Sequence, residues 1–142
     1  MEAPKIVIDT NVIASAMRSS LGTSYALFML IGKGKFELNI SVPLVVEYEK
    51  ALLDPLLELP YTPPEIAEIL DYVCAHSQHR EIYYLWRPFL KDPSDDMVLE
   101  AAVSAGAEYI VTFNRRDFRG ADSFGIRVVA PKEFLNQIGV TR

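Results

Sequence analysis

The stretch Lys5-Ile6-Val7-Ile8-Asp9-Thr10-Asn11 constrains the fold more than any other. An apolar run of strand length ends on a carboxylate, a hydroxyl and a carboxamide, and Val12 to Met17 then reads as a helix. A buried strand that passes straight into a helix opens a β–α unit, and such units assemble into parallel sheets. Ligands of open parallel sheets bind in the crevice at the carboxyl ends of the strands. Asp9 is therefore expected where an α/β protein keeps its chemistry.

The rest of the chain repeats the alternation. Ser24 to Ile31 forms an apolar helical segment stopped by Gly32-Lys33-Gly34, and Phe36 to Ile40 reads as a strand. Pro43 suits the first position of a helix running to about Leu53, followed by a Pro-rich loop from Asp54 to Pro64. Thr62-Pro63-Pro64-Glu65 carries the hydroxyl cap and early acid that start a helix, here to about Ala75. Glu81 to Trp86 has strand propensity. Asp92-Pro93-Ser94-Asp95 opens a helix to Ala105-Gly106, Tyr109–Thr112 and Arg127–Ala130 are strands, and Pro131–Ile138 is a last helix. The expectation is a three-layer α/β/α sandwich around a mostly parallel sheet of about five strands, with right-handed crossovers.

A chain of 142 residues, half of them apolar, fits one domain spanning 1–142 with a packed core. Its apolar runs are far shorter than a membrane span, and no Lys/Arg-flanked apolar segment marks a signal peptide. Cys74 is the single cysteine, so no intrachain disulfide can form, which fits a cytoplasmic location. The net charge of −5 argues against nucleic-acid binding by bulk electrostatics. Its distribution is uneven: residues 1–111 hold 8 Lys/Arg against 16 Asp/Glu, residues 112–142 hold 6 against 3. A basic rim beside an acidic site would suit a phosphate backbone, and so would a merely solvated surface.

Acids fall near several element ends: Asp9, Glu47, Asp92, Asp95, Asp96 and Asp117. Carboxylates gathered from distant positions repel one another unless a cation joins them. Mg²⁺ and Mn²⁺ prefer oxygen ligands and catalyse in-line displacement at phosphodiesters. Asp95 and Asp96 enter a helix that is apolar nearly all round from Met97 to Ala105, hence buried. Asp96 lies three residues before Leu99 and seven before Val103, on an apolar side, and Asp95 is one step off, so the pair is a candidate ligand position, with Asp92 as the cap ahead of Pro93. Periodicity does not choose between Glu47 and Glu49, which flank the apolar arc of their helix about equally.

The Ile-Val-Ile-Asp9-Thr-Asn-Val start, Ser41-Val-Pro-Leu-Val-Val-Glu47, Asp96-Met-Val-Leu-Glu-Ala-Ala and Ile110-Val-Thr112-Phe-Asn114-Arg-Arg-Asp117-Phe resemble the ordered motifs of a PIN domain, specifically the VapC-like toxins of toxin–antitoxin systems. The resemblance covers nearly the whole chain. It implies an α/β/α fold, Mg²⁺- or Mn²⁺-dependent endoribonuclease activity on RNA, frequent homodimers and an antitoxin partner. Residue by residue, it implies metal ligands at Asp9, Glu47 and Asp96, a supporting hydroxyl at Thr10 or Thr112, and Asn11 beside the first acid. The position that often carries a fourth acid is Asn114 here; Asp117 reaches the same crevice if residues 114–118 form a helical turn.

Two rivals remain at this level. One is a PIN-like domain of weak or no catalysis that binds RNA or protein, because the fourth acid is missing. The other is an aspartate-nucleophile phosphatase of the haloacid dehalogenase type, which needs a second Asp where Asn11 stands. Cys74, His76 and His79 match no usual zinc spacing. Tyr83, Tyr84 and Trp86 suit core or dimer contacts better than base stacking, and Arg115, Arg116 and Arg119 are candidates for phosphate contact.

Overall fold

The computed structural model describes residues 3–82, 90 and 92–140. Strands β1 (Lys5–Ile8), β2 (Glu37–Ile40), β3 (Gln78–His79), β4 (Tyr109–Val111) and β5 (Arg127–Val129) form one sheet in the order β3-β2-β1-β4-β5. Each of its pairings is parallel. Between and after them run helices α1 (Thr10–Arg18), α2 (Thr23–Phe28), α3 (Val42–Leu52), α4 (Pro63–Ala75), α5 (Pro93–Ala105) and α6 (Pro131–Gln137).

Successive side chains of a strand point to opposite faces, so burial of consecutive residues means that both faces are covered. Ile6, Val7 and Ile8 are fully buried, as are Ile110 and Val111 in the neighbouring β4. The central strands thus lie between helical layers, as the α/β/α expectation requires. Local chemistry sets the helix ends. Ser41 Oγ accepts the Leu44 N–H at 3.3 Å to cap α3, and Thr62 and Glu65 form a reciprocal capping box at α4. Gly106 closes α5 with φ 64, a left-handed conformation that glycine adopts without a Cβ clash.

The strand order places the site. The chain builds β1, β2 and β3 outward in one direction, then returns to lay β4 and β5 on the other side of β1. The order reverses between β1 and β4, and such a switch point opens a crevice beyond the carboxyl ends of the two strands. Asp9 follows β1 there and Thr112 follows β4. The ladder continues past the strand ends, since Asp9 N–H donates to the Val111 carbonyl at 2.9 Å and Thr112 N–H to the Val129 carbonyl at 2.9 Å. Fully buried Tyr48 of α3 donates its hydroxyl to the Ile8 carbonyl, tying that helix to the end of β1.

The strand expected over Glu81–Trp86 lies mostly outside the described residues. Glu81 and Ile82 are not in a strand; β3 is the shorter Gln78–His79, paired with Asn39 and Ile40. The position is fixed by Arg80, whose backbone N–H reaches the Ile40 carbonyl at 2.7 Å and whose Nε donates to the buried Asn39 Oδ1 at 2.9 Å. Arg80 also pairs with Glu37 at 3.4 Å. A buried amide that needs a partner sets this register, which propensity for aromatic strands could not reveal. Tyr83, Tyr84 and Trp86 lie outside the described residues. The two histidines have structural surroundings: His76 packs its ring 4.4 Å from that of Tyr72, and His79 Nε2 meets the Cys74 carbonyl at 2.9 Å.

Candidate active site

Asp9 serves two purposes at once. As the cap of α1 its Oδ1 accepts the Thr10 N–H at 2.7 Å, and its Oδ2 accepts the Thr112 hydroxyl at 2.7 Å. The hydroxyl expected at Thr10 or Thr112 is thus supplied by Thr112, which is fully buried and also accepts the Asn114 N–H at 3.0 Å. Asp9 is only 6 % exposed. Burial raises its carboxyl above the ordinary carboxylate range, against the lowering effect of Thr112 and Thr10, with Asp117 and Asp92 adding repulsion.

Around Asp9 opens a cleft of about 420 Å³. Its walls carry the acids Asp9, Glu47, Asp54, Asp92, Asp95 and Asp117, together with Thr10, Asn11, Ser94 and Asn114. Among the described residues no Lys or Arg lines it. Glu47 is chosen over Glu49: it is half-buried and 3.4 Å from the Ser94 hydroxyl at the start of α5, whereas Glu49 is exposed and does not line the cleft. Asp117 reaches the cleft because Arg115–Phe118 forms a 3-10 turn, with the Asp117 N–H donated to the Asn114 carbonyl at 3.0 Å.

The structure separates the two members of the Asp95-Asp96 pair. Asp95 lines the cleft; Asp96 does not. Asp96 is 1 % exposed and its Oδ1 accepts the Leu90 N–H at 2.9 Å, so it secures the chain ahead of α5. The two residues are adjacent, about 100° apart around the helix. The alignment of Asp96 with Leu99 and Val103 was itself the signal: it directs Asp96 into the core and leaves Asp95 to the crevice. Burial and then repulsion from Asp9, Asp117, Asp92 and Asp96 push the Asp95 carboxyl up to about 7. Sequence reasoning also missed Asp54, which caps a 3-10 turn at Pro55–Leu57, and gave Asp92 only its capping role, although both line the cleft.

The acids ring the cleft rather than converge. Among the described residues no three are close enough to share one ion as they stand. A cation here must draw them inward by side-chain rotation. Two features fit such an ion: an all-oxygen donor set of the kind Mg²⁺ and Mn²⁺ prefer, and the buried Asn11 Oδ1, which has no hydrogen-bond partner among the described residues. Among the described residues the basic tail does not line the cleft. Arg115 pairs with Glu133 at 3.0 Å, and Arg127 stacks 5.4 Å from the ring centre of Tyr109.

The PIN domain family profile matches residues 5–116, most of the chain and all four motifs except the end of the last. The protein belongs to the PIN domain family. PIN domains are generally nucleases that use divalent metal ions. Among solved structures, the chain is similar to VapBC2 from Rickettsia felis bound to a DNA fragment from its promoter, with TM-score 0.59 and 14 % identity. That likeness, which covers 87 % of this chain and 98 % of the other, is one of fold. No curated protein matches. No helix among the described residues is long and apolar enough to cross a membrane.

Proposed function

We propose that the protein is a divalent-metal-dependent endoribonuclease, the toxin of a toxin–antitoxin pair, acting as one domain over residues 1–142. The observation that carries this reading is Asp9. It stands buried at the switch point, oriented by Thr112, in a cleft walled by acids and, among the described residues, by no cationic side chain. A phosphodiester is repelled from such a cleft unless a metal ion neutralises it.

Asp9, Glu47, Asp95 and Asp117 are the residues that would hold Mg²⁺ or Mn²⁺. When bound, the ion supplies charge neutralisation at the phosphate and lowers the pKa of the attacking water. Thr112 keeps the Asp9 carboxylate in one orientation, which limits the reorganisation that ion binding requires. Asn114 and Asn11 offer neutral amides that add oxygen or N–H contacts without adding charge. Ser94, hydrogen-bonded to Glu47, joins the α3 wall to the α5 wall. In this role the partners are RNA, a cognate antitoxin and a second copy of the chain, in the cytoplasm. The Rickettsia felis structure, an assembly named VapBC2, supports the antitoxin.

Asn114 favours the second reading, a PIN domain that binds RNA or protein with weak catalysis, because a neutral amide stands where a fourth acid is frequent. The phosphatase rival gains nothing, since Asn11 occupies the position of its second aspartate. The decisive assay incubates the purified chain with single-stranded RNA in Mn²⁺, in Mg²⁺ and in EDTA. Internal cleavage in either metal, stopped by EDTA, is expected. RNA binding without cleavage in either metal would replace the nuclease by the binding module.

A further inference from the structure

Phe113 follows Thr112 directly and is 47 % exposed, the sole aromatic among the exposed large hydrophobic side chains of the described residues. The others come from residues 21–56, so the ring has no apolar companion in its own segment. Its backbone is pinned on both sides. Thr112 is buried and bonded to Asp9; Asn114, which lines the cleft, donates its N–H back to Thr112 Oγ1 at 3.0 Å. Phe118, 2 % exposed, anchors the turn that follows. Arg116 and Arg119 of this segment are exposed and make no ion pair among the described residues.

An exposed ring on a fixed backbone, between a residue bonded to Asp9 and one that lines the acidic cleft, is suited to the face of a nucleobase. Stacking needs one ring, while a protein interface needs about 800 Å² on each partner. Resting on the nuclease reading, we propose that Phe113 stacks an unpaired base of the RNA beside the scissile phosphate. The stacked base sets the register of the strand, with its phosphates toward the cleft and the two arginines. A base held in a duplex offers no free face, so the site selects single-stranded RNA.

The test uses an RNA chosen from a randomised pool of 20-nucleotide single strands as one that the unmodified chain cleaves. Phe113→Ala should raise KM roughly 5- to 150-fold with kcat little changed, the range seen when one stacking aromatic is removed. Phe113→Trp should restore KM, whereas Phe113→Leu, apolar but without a π-face, should not. Circular dichroism identical to the unmodified chain excludes misfolding. An unchanged KM in Phe113→Ala, or full rescue by Leu, overturns the stacking role and leaves the nuclease reading intact. Lost self-association with unchanged cleavage also overturns it, making Phe113 a protein contact. If the unmodified chain cleaves no member of the pool, the nuclease reading fails and this inference with it.

Discussion

An Asp9→Asn protein cleaves RNA roughly 10²–10³-fold more slowly than the unmodified chain, the scale on which one preorganised electrostatic contact contributes to catalysis. Its fold survives. The carboxamide oxygen still accepts the Thr10 N–H that caps α1, and its amide faces a hydroxyl able to accept. What disappears is a negative charge at the buried end of the cleft, where a divalent ion gains most from it. The predicted signature is therefore lost turnover with an unfolding midpoint equal to or above that of the metal-free parent. Undiminished cleavage by a folded Asp9→Asn protein removes Asp9 from the site.

Asp95 and Asp96, adjacent in sequence, should fail in opposite ways. Asp95→Asn abolishes metal-dependent cleavage yet stabilises the metal-free protein near pH 8. The sign follows from the raised pKa. The folded state keeps a proton on Asp95 up to about pH 7, while the unfolded chain releases it near 3.8. The folded state thus binds more protons through that window, so metal-free stability falls as pH rises from about 4 to 7. Asp9, also raised, contributes with the same sign. Asp95→Asn flattens this fall, and Mn²⁺ opposes it in the parent. Asp96→Ala instead leaves the buried Leu90 N–H without its acceptor, a loss of about 1–3 kcal/mol, while the folded fraction still cleaves. Thermal melts at pH 5 and pH 8, paired with cleavage assays, read both. Intact cleavage in Asp95→Asn together with abolished cleavage in a folded Asp96→Ala would restore the assignment made from sequence.

The contrast shows what a one-dimensional pattern can carry. Helix starts were legible where their chemistry is local: Thr62 and Asp92 cap the helices that follow them. The position of Asp9 was legible because a short apolar strand that passes straight into a helix leaves its next residue at the carboxyl edge of a parallel sheet. The choice within an adjacent pair was not, since 100° of helix separates a cleft from a core and only the neighbours decide which is which. Asp54 was hidden for the same reason, as a loop residue whose approach to Asp9 depends on how α3 is docked by Tyr48. The β3 register depended on a buried Asn39 and an Arg80 far along the chain, a long-range pairing that propensity does not encode.

Anomalous scattering from crystals soaked in Mn²⁺ tests the proposed metal site most directly. A peak within about 2.5 Å of carboxylate oxygens from both Asp9 and Asp95 is predicted, with the side chains of Glu47 or Asp117 rotated inward to meet it. Mn²⁺ at saturating concentration that leaves the cleft without a peak, or that binds only at surface acids elsewhere, would contradict it.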